Sequence, residues 1–110
     1  LISDALRCSG MPDGEYELGG QTVHLAGGIA KLADGTIASA ATNLFDGMKN
    51  AIRFGIPEED AIRAATWNPA CAIGKAAQIG SIETGKDADL VLLDEEANIV
   101  HVFARGKQVK

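Results

Sequence analysis

The first third of the chain carries short runs of apolar and polar residues that are separated by glycine pairs. Residues 15–18 and 21–25 alternate between the two kinds of side chain, which is the period of a half-buried strand, and residues 29–32 follow as a third short run. The pairs Gly19-Gly20 and Gly27-Gly28 supply the backbone conformations that tight turns require. This pattern predicts a β-meander of three strands.

The middle of the chain changes to a helical period. Apolar residues between positions 44 and 52 recur every three or four residues. Thr42 or Asn43 can cap the start of this helix, and Gly55 can end it in a left-handed turn.

Two further helices are predicted after the first. Pro57 suits a first helical position, and the acidic residues that follow it suit the positive end of the helix dipole. Asn68-Pro69 should break this second helix, because the residue before a proline avoids the helical region. A short third helix is then expected over residues 69–73, ending at Gly74.

The last third returns to strand patterns. Residues 78–82 form a short run, and the apolar run within residues 89–94 is typical of a strand that is buried on both faces. Residues 98–104 form another strand, which a turn at 105–107 connects to a final strand at 108–109. The order of strands, helices and strands indicates an α+β fold, or the seam between a helical-barrel domain and a β-rich domain.

Charge and cysteine content narrow the classes of function. Fifteen acidic against ten basic residues give a net charge of −5, which argues against general nucleic-acid binding and against attachment to an acidic membrane. No apolar stretch approaches the roughly 20 residues that span a bilayer.

Cys8 and Cys71 form no C-x-x-C pair and no disulfide framework, which predicts reduced thiols in a cytoplasmic protein. We expect a single domain or a piece of a longer chain, since Leu1 is not an initiating Met and no signal peptide follows it.

Residues 80–87 have the spacing of a phosphate-binding loop, but two features argue against that function. Asp87 stands where a Ser or Thr hydroxyl would hold magnesium, and its carboxylate would repel phosphate. The residues that follow have a strand pattern, whereas such a loop opens a helix. We therefore interpret the stretch as a glycine-bounded turn.

Isolated aspartate and histidine residues are weaker candidates. Asp4 follows the apolar pair Leu1-Ile2 and could stand at the carboxyl end of a buried strand, where α/β barrels place catalytic groups. A lone aspartate in such a position is more often a cap or a turn residue. His24 and His101 lie in alternating strands and lack the spacing of metal ligands. These patterns by themselves identify no site.

Six motifs distributed along the chain are informative together. They are ISDA at residues 2–5, GMPDGEY at 10–16, LGG at 18–20, LADGTIA at 32–38, ATWNPACAIG at 65–74 and GSIETGKDADLV at 80–91. Through these motifs essentially the whole chain resembles the C-terminal part of the N-acetylglucosamine-6-phosphate deacetylase family, within the amidohydrolase superfamily. The last two motifs occur widely in metal-dependent amidohydrolases, and the first three narrow the resemblance to the deacetylases.

The resemblance implies a fold, namely the end of a (β/α)8 barrel together with strands of a small β-sandwich. It assigns residues 1–11 to the last barrel strand and an active-site loop, 12–33 to an inserted β-meander, 34–76 to a substrate loop and closing helices, and 77–110 to the β-sandwich.

The resemblance also implies a reaction, the hydrolysis of the acetamide of N-acetylglucosamine 6-phosphate to glucosamine 6-phosphate and acetate. Asp4 matches the catalytic aspartate, which takes a proton from a water and passes it to the leaving amine. A substrate-contacting loop matches Ile37, Ala38, Ser39 and Ala40. The family usually has Gly where Ser39 stands and Ser where Ala40 stands, so substrate affinity or preference is open.

Cofactor and partners are implied in the same way. A divalent ion, zinc or iron, would be held by a Glu and two His upstream of residue 1, so residues 1–110 alone are expected to be inactive. The expected partners are a small sugar phosphate and a second copy in a homodimer, with no nucleic acid and no membrane.

Two alternatives remain open. One is a different amidohydrolase of the same superfamily, such as a dihydroorotase-like or imidazolone-hydrolysing enzyme, although the meander sequence argues against it. The other is a β-rich binding or assembly module that keeps only the sandwich strands.

Overall fold

Strands, helices and strands follow one another along the chain in the predicted order. A computed structural model describes all 110 residues and divides them into two units, Leu1–Ala65 and Thr66–Lys110. The elements are β1 (Gly14–Leu18), β2 (Gln21–Ala26), β3 (Ile29–Leu32), β4 (Ile37–Ala40), α1 (Leu44–Arg53), α2 (Glu58–Ala65), α3 (Trp67–Ala72), β5 (Leu90–Leu93), β6 (Ile99–Ala104) and β7 (Lys107–Gln108). The mixed α+β composition is confirmed.

The meander of the first unit is a four-stranded antiparallel sheet in the order β1-β2-β3-β4. The alternation of β2 buries Val23 and Leu25 and leaves His24 exposed, as the sequence pattern predicts. Ala30 of β3 is fully buried opposite Leu25. These side chains form the core of this unit together with Cys8.

The fourth strand corrects the prediction of a three-stranded meander followed by a loop. Residues 37–40 pair antiparallel with β3 after a turn in which the Asp34 carboxylate accepts a hydrogen bond from the Thr36 amide at 2.9 Å. Gly35 supplies the left-handed conformation of that turn, with φ at +86°. The pairing depends on β3 and not on the local sequence, which explains why an Ile-Ala-Ser-Ala run gave no strand signal.

Residues 1–11 form no regular strand of their own. A single parallel bridge joins Ala5 to Ala40, and the Leu6 amide donates to the Ala40 carbonyl at 3.0 Å. Two turns follow, and they bury Cys8 against the sheet. The strand expected at the start of the chain is therefore limited to one bridge among these residues, since a buried parallel strand needs neighbours that pair along its whole length.

The predicted caps set the ends of α1. The Asn43 side chain accepts a hydrogen bond from the Asp46 amide at 2.9 Å, and Gly55 follows the helix with φ at +97°. The helix α2 begins directly after Pro57 with Glu58, Glu59 and Asp60 in its first turn, and it buries Ala61. Both helices are confirmed, and each begins within a residue of its predicted start.

The break between α2 and α3 is placed differently from the prediction. The helix α2 ends at Ala65, and Thr66 interrupts it with φ −125° and ψ −77°. Pro69 lies inside the first turn of α3, where a missing amide hydrogen costs nothing because that amide has no acceptor within the helix. Asn68 is consequently helical even though it precedes a proline.

The second unit holds a three-stranded antiparallel sheet in the order β5-β6-β7. A left-handed pair, Arg105 and Gly106, makes the predicted turn from β6 into β7. Residues 78–82, expected as a short strand, form turns instead. The expectation that β5 is buried on both faces is also wrong, since Val91 is 53% exposed. Ala70 is the only buried hydrophobic residue of residues 66–110, so these residues supply no apolar layer of their own to cover this sheet.

Candidate active site

The structure brings together two positions that lie far apart in the sequence, Asp4 and Ser39. The Ser39 hydroxyl donates a hydrogen bond to Oδ2 of Asp4 at 2.8 Å, and it also contacts the carbonyl oxygen of Asp4, 35 residues away. Asp4 is exposed and has a left-handed backbone with φ at +49°. Aspartate tolerates this conformation better than most residues, because its short polar side chain can bond locally.

The sheet positions Ser39 for this contact. Ser39 pairs with Ala30, and directly opposed residues of an antiparallel pair point to the same face, so the hydroxyl lies on the core side of the sheet. The register shifts between Ala30 and Lys31, which leaves Ala38 as an extra residue in β4. Such bulges re-aim side chains and are frequent beside active sites. Ser39 is half-buried as a result.

The bridge between Ala5 and Ala40 fixes the other side of the contact. Because this bridge and the hydrogen bond from Leu6 follow Asp4 directly, the Asp4 backbone is held beside β4. The remaining carboxylate oxygen, Oδ1, accepts no hydrogen bond, and Asp4 takes part in no ion pair. The site thus presents one oriented, solvent-accessible carboxylate oxygen, which is able to accept a proton.

The expected substrate segment is brought to this place only in part. Ser39 and Ala40 contact residues 4–6, whereas Ile37 is 66% exposed and Ala38 packs against the core. Sequence reasoning selected Asp4 and Ser39 separately and missed their contact. No local signal could have shown it, because the contact depends on the pairing of β4.

The histidines lie outside this site. His24 pairs with Glu15 across strands β1 and β2 at 3.3 Å, and His101 Nδ1 lies 3.0 Å from the side-chain nitrogen Nε2 of Gln108. No group of three or more His, Cys, Asp or Glu side chains is placed to hold a metal ion.

The loop with phosphate-loop spacing is a closed local network. Lys86 donates to Glu83 at 3.1 Å and lies 4.7 Å from the centre of the Trp67 ring, and no helix follows it. The hydrogen bond from the Ser81 hydroxyl is the main cause that lowers the pKa of the Glu83 carboxylate, and Lys86 lowers it further. The lysine is therefore engaged by its own turn, which supports the interpretation of this stretch as structural.

A partly open cavity of about 200 Å³ lies elsewhere in the first unit. Its lining contains none of the predicted site residues and consists of Arg7, Cys8, Met11, Tyr16 and Glu17.

No helix of the structure is both long enough and apolar enough to cross a membrane.

Known proteins resemble this chain over nearly its whole length. The model of the amidohydrolase family matches residues 23–109. The chain is 36% identical over 110 residues to the N-acetylglucosamine-6-phosphate deacetylase of Vibrio furnissii, which covers 99% of this chain and 28% of that protein. It is 32% identical over 108 residues to the N-acetylgalactosamine-6-phosphate deacetylase of Escherichia coli O157:H7, which covers 97% of this chain and 29% of that protein.

A solved structure agrees with these matches. The crystal structure of N-acetylglucosamine-6-phosphate deacetylase from Pasteurella multocida is similar with a TM-score of 0.89 at 30% identity. The similarity covers 97% of this chain and 28% of that chain. The chain thus spans less than a third of the length of these three proteins.

Proposed function

Because this chain belongs to the amidohydrolase family, we propose that it is the C-terminal part of an enzyme that deacetylates N-acetylglucosamine 6-phosphate. The observation that carries the proposal is the exposed Asp4 carboxylate, held on one oxygen by Ser39 and unengaged on the other. Deacetylases of this substrate are among the relatives that match nearly the whole chain.

Asp4 would act as the proton carrier of the hydrolysis. Its free oxygen accepts a proton from a water while the water oxygen bonds to the acetamide carbonyl carbon. The same proton then passes to the amide nitrogen as the carbon–nitrogen bond breaks, which releases acetate and the free amine. One carboxylate can do both tasks, because the first step leaves it protonated for the second.

Amidohydrolases are generally metal-dependent, and the resemblance implies a divalent ion, zinc or iron. Residues 1–110 offer no group of ligands for such an ion. We place the ligands outside these residues, so residues 1–110 alone would be inactive. The task that we assign to Asp4 is proton transfer alone.

The proposed fold, sugar pocket, assembly and location rest on the resemblance to the deacetylases and on the observed strands and contacts. We propose that residues 1–5 end a (β/α)8 barrel and that β5–β7 contribute to a small β-sandwich. Residues Ile37–Ala40 would line the sugar pocket beside Asp4, which the contacts of Ser39 and Ala40 with residues 4–6 support. The proposed assembly is a homodimer in the cytoplasm, where the free thiols of Cys8 and Cys71 would stay reduced.

A second candidate substrate is N-acetylgalactosamine 6-phosphate, the substrate in the name of the Escherichia coli O157:H7 relative. The two sugars differ only in the configuration at one hydroxyl. Ser39 and Ala40 depart from the usual family residues at the segment that would line the sugar pocket, so this chain can differ from its relatives in which sugar it prefers.

The protein encoded by the complete reading frame tests the function. We expect acetate release from N-acetylglucosamine 6-phosphate, loss of activity with a chelator, and recovery when zinc or ferrous iron is returned. The galactosamine isomer, assayed in parallel, decides the second candidate by its kcat/KM. Failure to release acetate from either sugar phosphate, in a metal-loaded protein, would contradict the proposal and favour a binding module.

A further inference from the structure

The Ser39 hydroxyl contacts both the backbone and the side chain of Asp4. One hydroxyl hydrogen is shared between the carbonyl and the carboxylate of the same residue. Asp4 holds a left-handed backbone at φ +49°, a conformation that costs energy for a residue with a side chain and that collects at functional sites. The serine therefore fixes the backbone and the side chain of Asp4 together.

We infer that Ser39 is a positioning residue, which holds the Asp4 carboxylate so that Oδ1 faces the reacting water. This inference rests on the proposed function, and it assigns to Ser39 a task other than contact with the sugar. The resemblance gives Gly at this position, so the hydroxyl is a feature of this chain.

Ser39 can orient Asp4 because its hydroxyl donates a hydrogen bond to one particular oxygen of the carboxylate. A donor to an ionised oxygen makes a stronger bond than a donor to a neutral one, so the hydroxyl favours one rotamer of Asp4. With Oδ2 occupied, Oδ1 is the oxygen left to accept the proton. Without the hydroxyl, the exposed side chain can adopt other staggered rotamers.

Two substitutions at residue 39 separate the hydroxyl from the volume of the side chain. We expect Ser39→Ala to lower kcat about 10- to 100-fold, the size of effect that a misplaced reacting group produces. KM should change far less than kcat, because the hydroxyl is engaged by Asp4 and is therefore not the group that binds the sugar. Ser39→Thr keeps the hydroxyl on a side chain suited to a strand, and it should retain most of the activity.

Ser81→Ala is the matched control. The Ser81 hydroxyl also donates to a carboxylate, that of Glu83, at 2.6 Å, in a turn that has no part in the candidate site. Its removal should leave kcat and KM unchanged. If Ser39→Ala keeps the wild-type kcat, or if Ser39→Thr loses as much activity as Ser39→Ala while both fold, the positioning role is wrong.

A second measurement does not depend on turnover. Room-temperature crystal structures of the complete metal-free protein should show one Asp4 rotamer in the wild type and in Ser39→Thr, and several or a different one in Ser39→Ala. An unchanged Asp4 rotamer in Ser39→Ala would overturn the inference. If the wild type has no deacetylase activity, the proposed function fails, and these structures still decide whether Ser39 orients Asp4.

Discussion

Asp4 illustrates what a single residue of this sequence could and could not reveal. A resemblance to deacetylases was needed to select it, because a lone aspartate after two apolar residues is commonly a cap. The structure adds its left-handed backbone and its bond to Ser39, a residue 35 positions away. The sequence could thus nominate Asp4 as a candidate, whereas the orientation of its side chain could not be predicted.

A second carboxylate, Asp94, gives a prediction about pH. It accepts hydrogen bonds from the Asn98 backbone amide at 2.7 Å and from the Asn98 side chain at 3.0 Å, which hold its pKa below the ordinary 3.8. Because the folded pKa is lowered, the ionised form stabilises this turn above pH 3.8. That stabilisation is lost as the pH falls through the lower folded pKa.

Carboxyl-carbon NMR titration checks this turn. Asn98→Ala removes the side-chain donor and keeps the backbone donor, so the pKa of Asp94 should rise part of the way toward 3.8. Asp34 is an internal control, since its lowered pKa depends on Thr36 in the other unit and should not change. An Asp94 that titrates at or above 3.8 in the wild type would contradict the account.

Helix ends that nearby residues determine were predicted well, whereas strand pairing and burial, which depend on distant residues, were not. The ends of α1 follow from Asn43 and Gly55, which act within a few residues of themselves. The strand β4 was missed because its pairing with β3 carries no local pattern. The apolar run of β5 suggested burial, but burial depends on a covering layer that residues 66–110 do not contain.

The packing of the turn at Gly80 against α3 gives a prediction with a built-in control. A Cβ at Gly80 would lie 2.7 Å from the Ala70 Cβ and 3.1 Å from the Thr66 carbonyl oxygen. Gly85 has the same φ of +92° and no atom within 4 Å of such a Cβ. Both alanine variants incur the backbone cost of about 1–2 kcal/mol. Only Gly80→Ala adds overpacking, of about 1–3 kcal/mol.

Native-state hydrogen exchange of residues 66–110 in the complete protein measures the difference. Protection of the α3 amides should fall clearly more in Gly80→Ala than in Gly85→Ala. Equal losses in the two variants would show that the close approach of this turn to α3 contributes nothing to stability.

Many large hydrophobic side chains of residues 1–110 are exposed. Seven hydrophobic residues are buried, whereas sixteen large ones are at least 40% exposed, including Phe54 at 86% and Ile82 at 87%. Seven buried hydrophobic residues make a small core for a chain of 110 residues, since a compact domain of that size buries about two thirds of its unfolded surface. This small core supports the proposal that residues 1–110 belong to a larger enzyme. The chain spans 28% of the length of two of its relatives, which agrees with that proposal.

The replacement of Asp4 by Asn tests whether this carboxylate carries the proton of the hydrolysis. Asn has nearly the same shape and cannot carry the proton, so Asp4→Asn in the complete protein should lower acetate release from N-acetylglucosamine 6-phosphate about 100- to 10,000-fold. Metal content should stay intact, and Asp60→Asn on the exposed start of α2 should behave as wild type. Near-normal acetate release by Asp4→Asn would contradict the account.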